Sequence, residues 1–186
     1  MREHVLVNNA SVGYNSTILE APEAKIRLTF EVNTLSHFRM AKEFLPAMIK
    51  ANYGHVVTVA GTASIVAVGE MVDYCCSKAS VLAFHEGLRQ ALKYSYRAPN
   101  VRTSIIHPTW VHSPMIKALT ENDDNCSRRI LTCQVVSTAI CEKILKHRSG
   151  QFIVPGYQSP ISVVREYAIL SVPFRTCSRG SIDTMV

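Results

Sequence analysis

The sequence predicts an α/β fold, a doubly wound parallel sheet of about four strands with flanking helices. Three observations carry this. Four short runs rich in β-branched and apolar residues (4–9, 54–60, 101–107 and 151–155) are spread along the chain. The long segments between them repeat apolar residues at three- and four-residue steps, as on one face of a helix. Strands that alternate with helices in this way call for parallel pairing through crossover connections.

Taken in order, His4-Val-Leu-Val-Asn-Asn9 reads as a buried strand ending in polar turn formers. Residues 21–52 read as helix, opened by Pro22 in the first turn and expected to kink or restart at Pro46. Gly54-His-Val-Val-Thr-Val-Ala60 is the second strand, followed by a loop and a helix to about Arg97. Ala98-Pro99-Asn100 breaks that helix, and residues 101–107 make the third strand. Residues 111–120 and 134–147 read as helices around a polar stretch at 121–129. Gln151-Phe-Ile-Val-Pro155 is the fourth strand, and 160–172 a last amphipathic helix. The expected organisation is one domain over 1–175 and a loose tail over 176–186.

Composition narrows the function. At 186 residues and 47% hydrophobic content, the chain is long enough to bury a core. The net charge of +6, from 20 basic and 14 acidic residues, is spread thinly, with Arg128-Arg129 the one basic doublet, so a nucleic-acid role is not expected. Six cysteines lack framework spacing, which points to reduced thiols in an intracellular protein. Seven histidines are scattered, and no metal site is expected. Charged Arg165 and Glu166 interrupt the longest apolar run, so no membrane span is expected.

The chemistry concentrates at Asp73-Tyr-Cys-Cys-Ser-Lys78. On a helix beginning near Asp73, Tyr74 and Lys78 project from one face. An ammonium beside a phenol favours the phenolate, drawing the tyrosine down from its ordinary value near 10. Such a pair removes a proton from an alcohol or gives one to a carbonyl. In a doubly wound sheet, ligands sit at the carboxyl ends of the strands. Asn8-Asn9-Ala10, Ala60-Gly61-Thr62 and His107-Pro108-Thr109 share that rim with Tyr74.

Asn8-Asn9-Ala10, Asn33 in Val-Asn-Thr-Leu, Gly54-His-Val-Val-Thr-Val-Ala60, Tyr74-Cys-Cys-Ser-Lys78 and His107-Pro-Thr-Trp-Val111 follow one another in a known order and spacing. Over residues 4–175 the chain resembles the short-chain dehydrogenases/reductases, and most closely their membrane-associated branch acting on retinol, hydroxysteroids and other lipophilic alcohols. The resemblance implies a partial Rossmann-like sheet and an NAD(P)-dependent oxidoreductase, using NADP or NAD, for a lipophilic alcohol or the matching ketone or aldehyde. By it, Tyr74 is the proton donor or acceptor, Lys78 holds the nicotinamide ribose, and Asn33 uses its backbone carbonyl to hold a water leading from Lys78 to solvent. Asn8, Asn9 and Ala10 close over the adenosine side and tie strands together. Pro108, Val111 and Ser113 line the nicotinamide end. The implied setting is the cytoplasm, or the cytoplasmic face of endoplasmic reticulum or lipid droplet, with a homodimer or a peripheral membrane contact as partners.

Two departures stand out. The family places a serine thirteen residues before the tyrosine to hold the substrate oxygen; here that position is Gly61, with Thr62 and Ser64 out of register. A lost donor of this kind costs about 2–4 kcal/mol of barrier. The eight glycines (13, 54, 61, 69, 87, 150, 156 and 180) also give no glycine-rich phosphate loop after a strand. The family carries that loop on its first strand, whereas this chain opens at the fourth, so the sequence is expected to be a truncated form lacking roughly 80–100 residues of cofactor-binding half. Ser11, where the family has glycine, is a smaller departure. Both large departures keep a second reading open: a non-catalytic remnant acting through helix-mediated dimerisation or partner binding, with Phe38, Phe44, Leu82, Phe84 and Leu88 available for that or for the core.

Overall fold

The structure is a computed structural model, and it describes residues 4–116 and 130–157. Four strands, β1 (Val5–Asn8), β2 (Gly54–Val59), β3 (Val101–Pro108) and β4 (Gly150–Val154), form one sheet in the order β1-β2-β3-β4, every pair parallel. Each strand lies within about a residue of its expected run. The expected helices at 111–120 and 160–172 and the tail lie largely outside the described residues, apart from one helical turn begun at Pro114.

Helices cover both faces, and β2 shows why. Successive side chains on a strand point to opposite faces. Val56 packs with Leu45, Met48, Leu88, Leu92 and Val101 on one side. Its neighbour Val57 packs with Ile106 and Val154 on the other, against Leu131, Ala139, Ile140 and Ile144. Leu45 and Met48 come from α2 (Ser36–Ala51), Leu88 from α3 (Val72–Gln90), and Ala139 to Ile144 from α4 (Cys133–Leu145). Continuous apolar runs in the strands are what a sheet buried on both faces requires.

The 21–52 segment departs from expectation in an informative way. It runs as α1 (Glu23–Phe30), a π turn (Glu31–Leu35) and α2, with Pro46 inside α2 rather than at a break. Pro46 and Lys42 are exposed, so the Lys42 carbonyl that the proline leaves without a helical donor lies on the solvent side of α2, where water can satisfy it. The irregularity sits at the π turn, which buries Asn33 and Thr34. Asn52 ends α2 in a left-handed conformation, its N–H on the Met48 and Ile49 carbonyls.

Candidate active site

Tyr74 lies in the first turn of α3, and Lys78 follows one turn later on the same face. α3 runs beneath the carboxyl end of β2, so the long Lys78 side chain reaches that rim: its Nζ donates to the Val59 carbonyl at 3.2 Å. The same Nζ stands 5.6 Å from the centroid of the Tyr74 ring. Lys78 is 2% exposed, and burial pushes its pKa down to about 8. Tyr74 moves the opposite way from the sequence expectation. Burial raises it above its ordinary value, and the Ser11 hydroxyl beside it offsets part of that rise. The ammonium lies over the ring rather than on the phenol oxygen and is itself weakened by burial, so desolvation wins over the lysine's attraction.

Asn33 joins this pair through its side chain. Its Oδ1 accepts from the Val12 N–H at 2.8 Å, and its Nδ2 donates to the Val12 carbonyl at 2.8 Å and to Ser77 Oγ at 3.0 Å. Ser77, next to Lys78, donates in turn to the Tyr74 carbonyl at 2.7 Å. The loop after β1 is thereby strapped to α3. Ser16 adds a backbone bond to the Glu70 carbonyl at 2.9 Å, and Thr29 on α1 bonds Asp73 at 3.1 Å. Gly13 lies flat against the tyrosine: a Cβ there would stand 2.8 Å from Tyr74 Cδ2 and 3.0 Å from Met115 Sδ.

The remaining expected positions are split. Asn8 is buried with its Nδ2 unpartnered, while Asn9 and Ala10 are exposed at the rim. Pro108 ends β3, with its carbonyl facing Gly61. Val111 forms an isolated parallel bridge with Leu131. The Ser113 hydroxyl accepts from the Ile116 N–H at 3.3 Å, capping the turn that carries Met115 to Tyr74.

Gly61 opens the turn after β2 with φ +84°. Two buried side chains hold its carbonyl: Ser64 Oγ donates to it at 2.7 Å, and His107 Nδ1 lies 3.2 Å from it and 2.8 Å from Ser64 Oγ. With Ser64 donating to the carbonyl, the network assigns the His107 proton to Nδ1. Ser64 is 2% exposed, so its hydroxyl belongs to this clasp and not to the rim. The sequence reading missed the strap of Ser11, Val12 and Gly13 over Tyr74. Its one signal was a serine and a glycine in the loop after β1.

The family model described as short chain dehydrogenase matches residues 2–124. The chain is 51% identical over 100 residues to dehydrogenase RED3 of Cochliobolus heterostrophus, covering 54% of this chain and 51% of that protein. It is 44% identical over 113 residues to estradiol 17-beta-dehydrogenase 11 of Macaca fascicularis (61% and 37%). It is 33% identical over 150 residues to short-chain dehydrogenase/reductase family 16C member 6 of Bos taurus (77% and 45%). These matches span about half or less of each relative's length. Among solved structures, a short chain dehydrogenase from Burkholderia cenocepacia in complex with NADP aligns with a TM-score of 0.73 at 22% identity, covering 91% of this chain and 69% of that one. A 4-hydroxyisoleucine dehydrogenase complexed with NADH aligns at 0.66 and 17% identity, covering 82% and 67%. Both show the same sheet and helix layers.

Proposed function

The chain belongs to the short chain dehydrogenase family, and from that premise we propose that it is an NAD(P)-dependent oxidoreductase polypeptide acting on the CH–OH group of a lipophilic alcohol, or on the matching ketone or aldehyde. The observation that carries this reading is the buried Lys78 ammonium over the ring of Tyr74, at the carboxyl end of β2. The residues present fit the nicotinamide end of a dinucleotide. Lys78 spends one donor on Val59 and keeps others for ribose hydroxyls, and the Asn8 Nδ2 is a buried donor still to be satisfied. NADP or NAD, when bound, supplies hydride acceptance or donation. The chain's own part is the proton: Tyr74 Oη takes it from the alcohol or returns it to the carbonyl oxygen, and Lys78 offsets the phenolate charge. Asn33 acts by fixing the strap and, through the π turn, leaves a backbone carbonyl for a water path from Lys78. No phosphate contact is assigned to the described residues.

The lipophilic substrate class is supported by Met115 and Ile116 after β3, where Met115 approaches Tyr74, and by the similarity to estradiol 17-beta-dehydrogenase 11. Among the described residues no helix is long and apolar enough to cross a membrane. The proposed setting is the cytoplasm or the cytoplasmic face of endoplasmic reticulum or lipid droplet, with peripheral membrane contact.

A second reading, helix-mediated dimerisation without catalysis, is favoured by one observation. Phe38 and Phe44 on α2 are 47% and 48% exposed, while Leu88 is core. Assay of the protein with retinol, estradiol and small sugars, with NADP or NAD, separates the two readings. The first expects turnover of the lipophilic alcohols that falls at least about a hundredfold in Tyr74→Phe. Preference for sugars, or activity indifferent to Tyr74→Phe, overturns it. A stable dimer with no turnover favours the second.

A further inference from the structure

We infer that Ser11 is a positioning residue for Tyr74: its hydroxyl donates to the phenol oxygen and supplies the side-chain partner that position 61 does not. The inference rests on the proposed reaction for its catalytic meaning, but the Ser11–Tyr74 contact is testable without it.

Ser11 sits in a strap held on both sides, by Asn33 at both backbone groups of Val12 and by Glu70 at Ser16. Gly13 presses the same strap against the Tyr74 ring, where no Cβ would fit. A side chain at position 11 is therefore brought to the phenol by a rigid frame rather than by a free loop.

Ser11 Oγ is buried and makes no hydrogen bond in the structure as it stands, so its bond to the phenol oxygen is one that forms in the working state. A buried hydroxyl left unsatisfied costs about 1–3 kcal/mol, so a position that retains one calls for a partner supplied in the working state. Three neighbouring hydroxyls are already spent: Ser64 on the Gly61 carbonyl, Ser77 on the Tyr74 carbonyl, and Thr29 on Lys25 and Asp73. Gly61 offers none. Ser11 also lies close enough to the phenol to favour its ionised form against the rise that burial imposes. A donor at the phenolate oxygen holds the charge that appears when Tyr74 gives up its proton, and weakens when the proton returns.

The test uses the full chain with carbon-labelled tyrosine, reading the ring Cζ resonance of Tyr74 against pH, assigned by its loss in Tyr74→Phe. Ser11→Ala and Ser11→Gly are expected to move that resonance at fixed pH and to raise the ionisation of Tyr74 by about half a pH unit or more. Ser11→Thr, which keeps the hydroxyl, is expected to leave both near the wild-type values. Where turnover is present, the limb of the kcat/KM profile that rises with pH should shift by the same amount in Ser11→Ala, with KM little changed. An unmoved resonance in Ser11→Ala and Ser11→Gly overturns the inference. So does an equal shift in Ser11→Thr, which would make the effect one of packing, or a shift found in Thr62→Val and not at Ser11. None of these outcomes bears on whether Tyr74→Phe abolishes turnover, so the reaction and the positioning role fail separately.

Discussion

Asn33 satisfies both backbone groups of Val12 at once, accepting from its N–H and donating to its carbonyl, each at 2.8 Å. The two residues lie 21 apart in sequence, and the pair closes the loop after β1 onto the helix pair below it. Asn33 is 0% exposed, so no water replaces the amide if it is removed. Asn33→Ala leaves Val12 and Ser77 short of partners and is expected to cost about 2 kcal/mol or more. Thermal unfolding checks the loss, and limited proteolysis should cut first within residues 9–21. A variant as stable as wild type would show that the strap is held elsewhere.

Lys78 carries a stability cost with a defined pH signature. Its folded pKa is about 8, below the 10.5 of the free side chain, so the folded state prefers the neutral amine. Stability from this group is full above pH 10.5 and falls as pH drops to about 8; below that the penalty is constant. The shift corresponds to roughly 3 kcal/mol at neutral pH. Lys78→Met is therefore expected to be more stable than wild type at pH 7 while losing turnover. The stability gap should close as pH rises through that window, as read by denaturant unfolding. A gap that is flat with pH rules out the buried-ammonium account.

Read from sequence alone, Gly61→Ser restores a missing donor. In the folded chain the outcome is different. Space exists, since a Cβ at 61 meets nothing nearer than the Pro108 carbonyl at 3.7 Å. The backbone is the obstacle: φ is +84°, and Ser64 and His107 hold the carbonyl in that conformation. An L side chain there costs about 1–3 kcal/mol. Gly61→Ser is expected to lower the unfolding free energy by that amount without raising kcat. A tenfold gain in kcat, on the order of one restored donor, would mean that the peptide at 61 re-sets when a serine occupies it.

His85 on α3 and His107 on β3 are both buried, and burial lowers both; at His85, His107 and then Arg89 add to the effect. Burial brings His85 from 6.5 down to about 4. The neutral ring is the one that folds, so its contribution is full above pH 6.5 and lost as pH falls toward about 4. His37 behaves alike, held near 4 by burial and by Lys78. His85→Leu removes one of these sites and is expected to flatten the fall in stability between those pH values, measured by urea midpoints. An unchanged slope would place the acid sensitivity elsewhere.

The sequence by itself determined the layers. Alternation of apolar runs with helical repeats was enough for four parallel strands, because a strand buried on both faces must be apolar at nearly every position and a crossover must be amphipathic. Tyr74 and Lys78 were legible for the same local reason, since four residues on a helix fix a common face. Asn33 was legible as a site position, but its use was not. Its partner Val12 belongs to another element, and only the folded π turn aims the amide there. Tertiary structure also decided the sign of the Tyr74 shift, which depends on how deeply the phenol is buried against how closely the ammonium approaches it. It decided the state of Gly61 as well: one letter in the sequence, a conformation pinned by Ser64 and by a histidine 46 residues further along the chain. Periodicity records what each residue does to its own segment. Desolvation and long-range hydrogen bonds depend on which segments come together, and the chain carries that information only once it is folded.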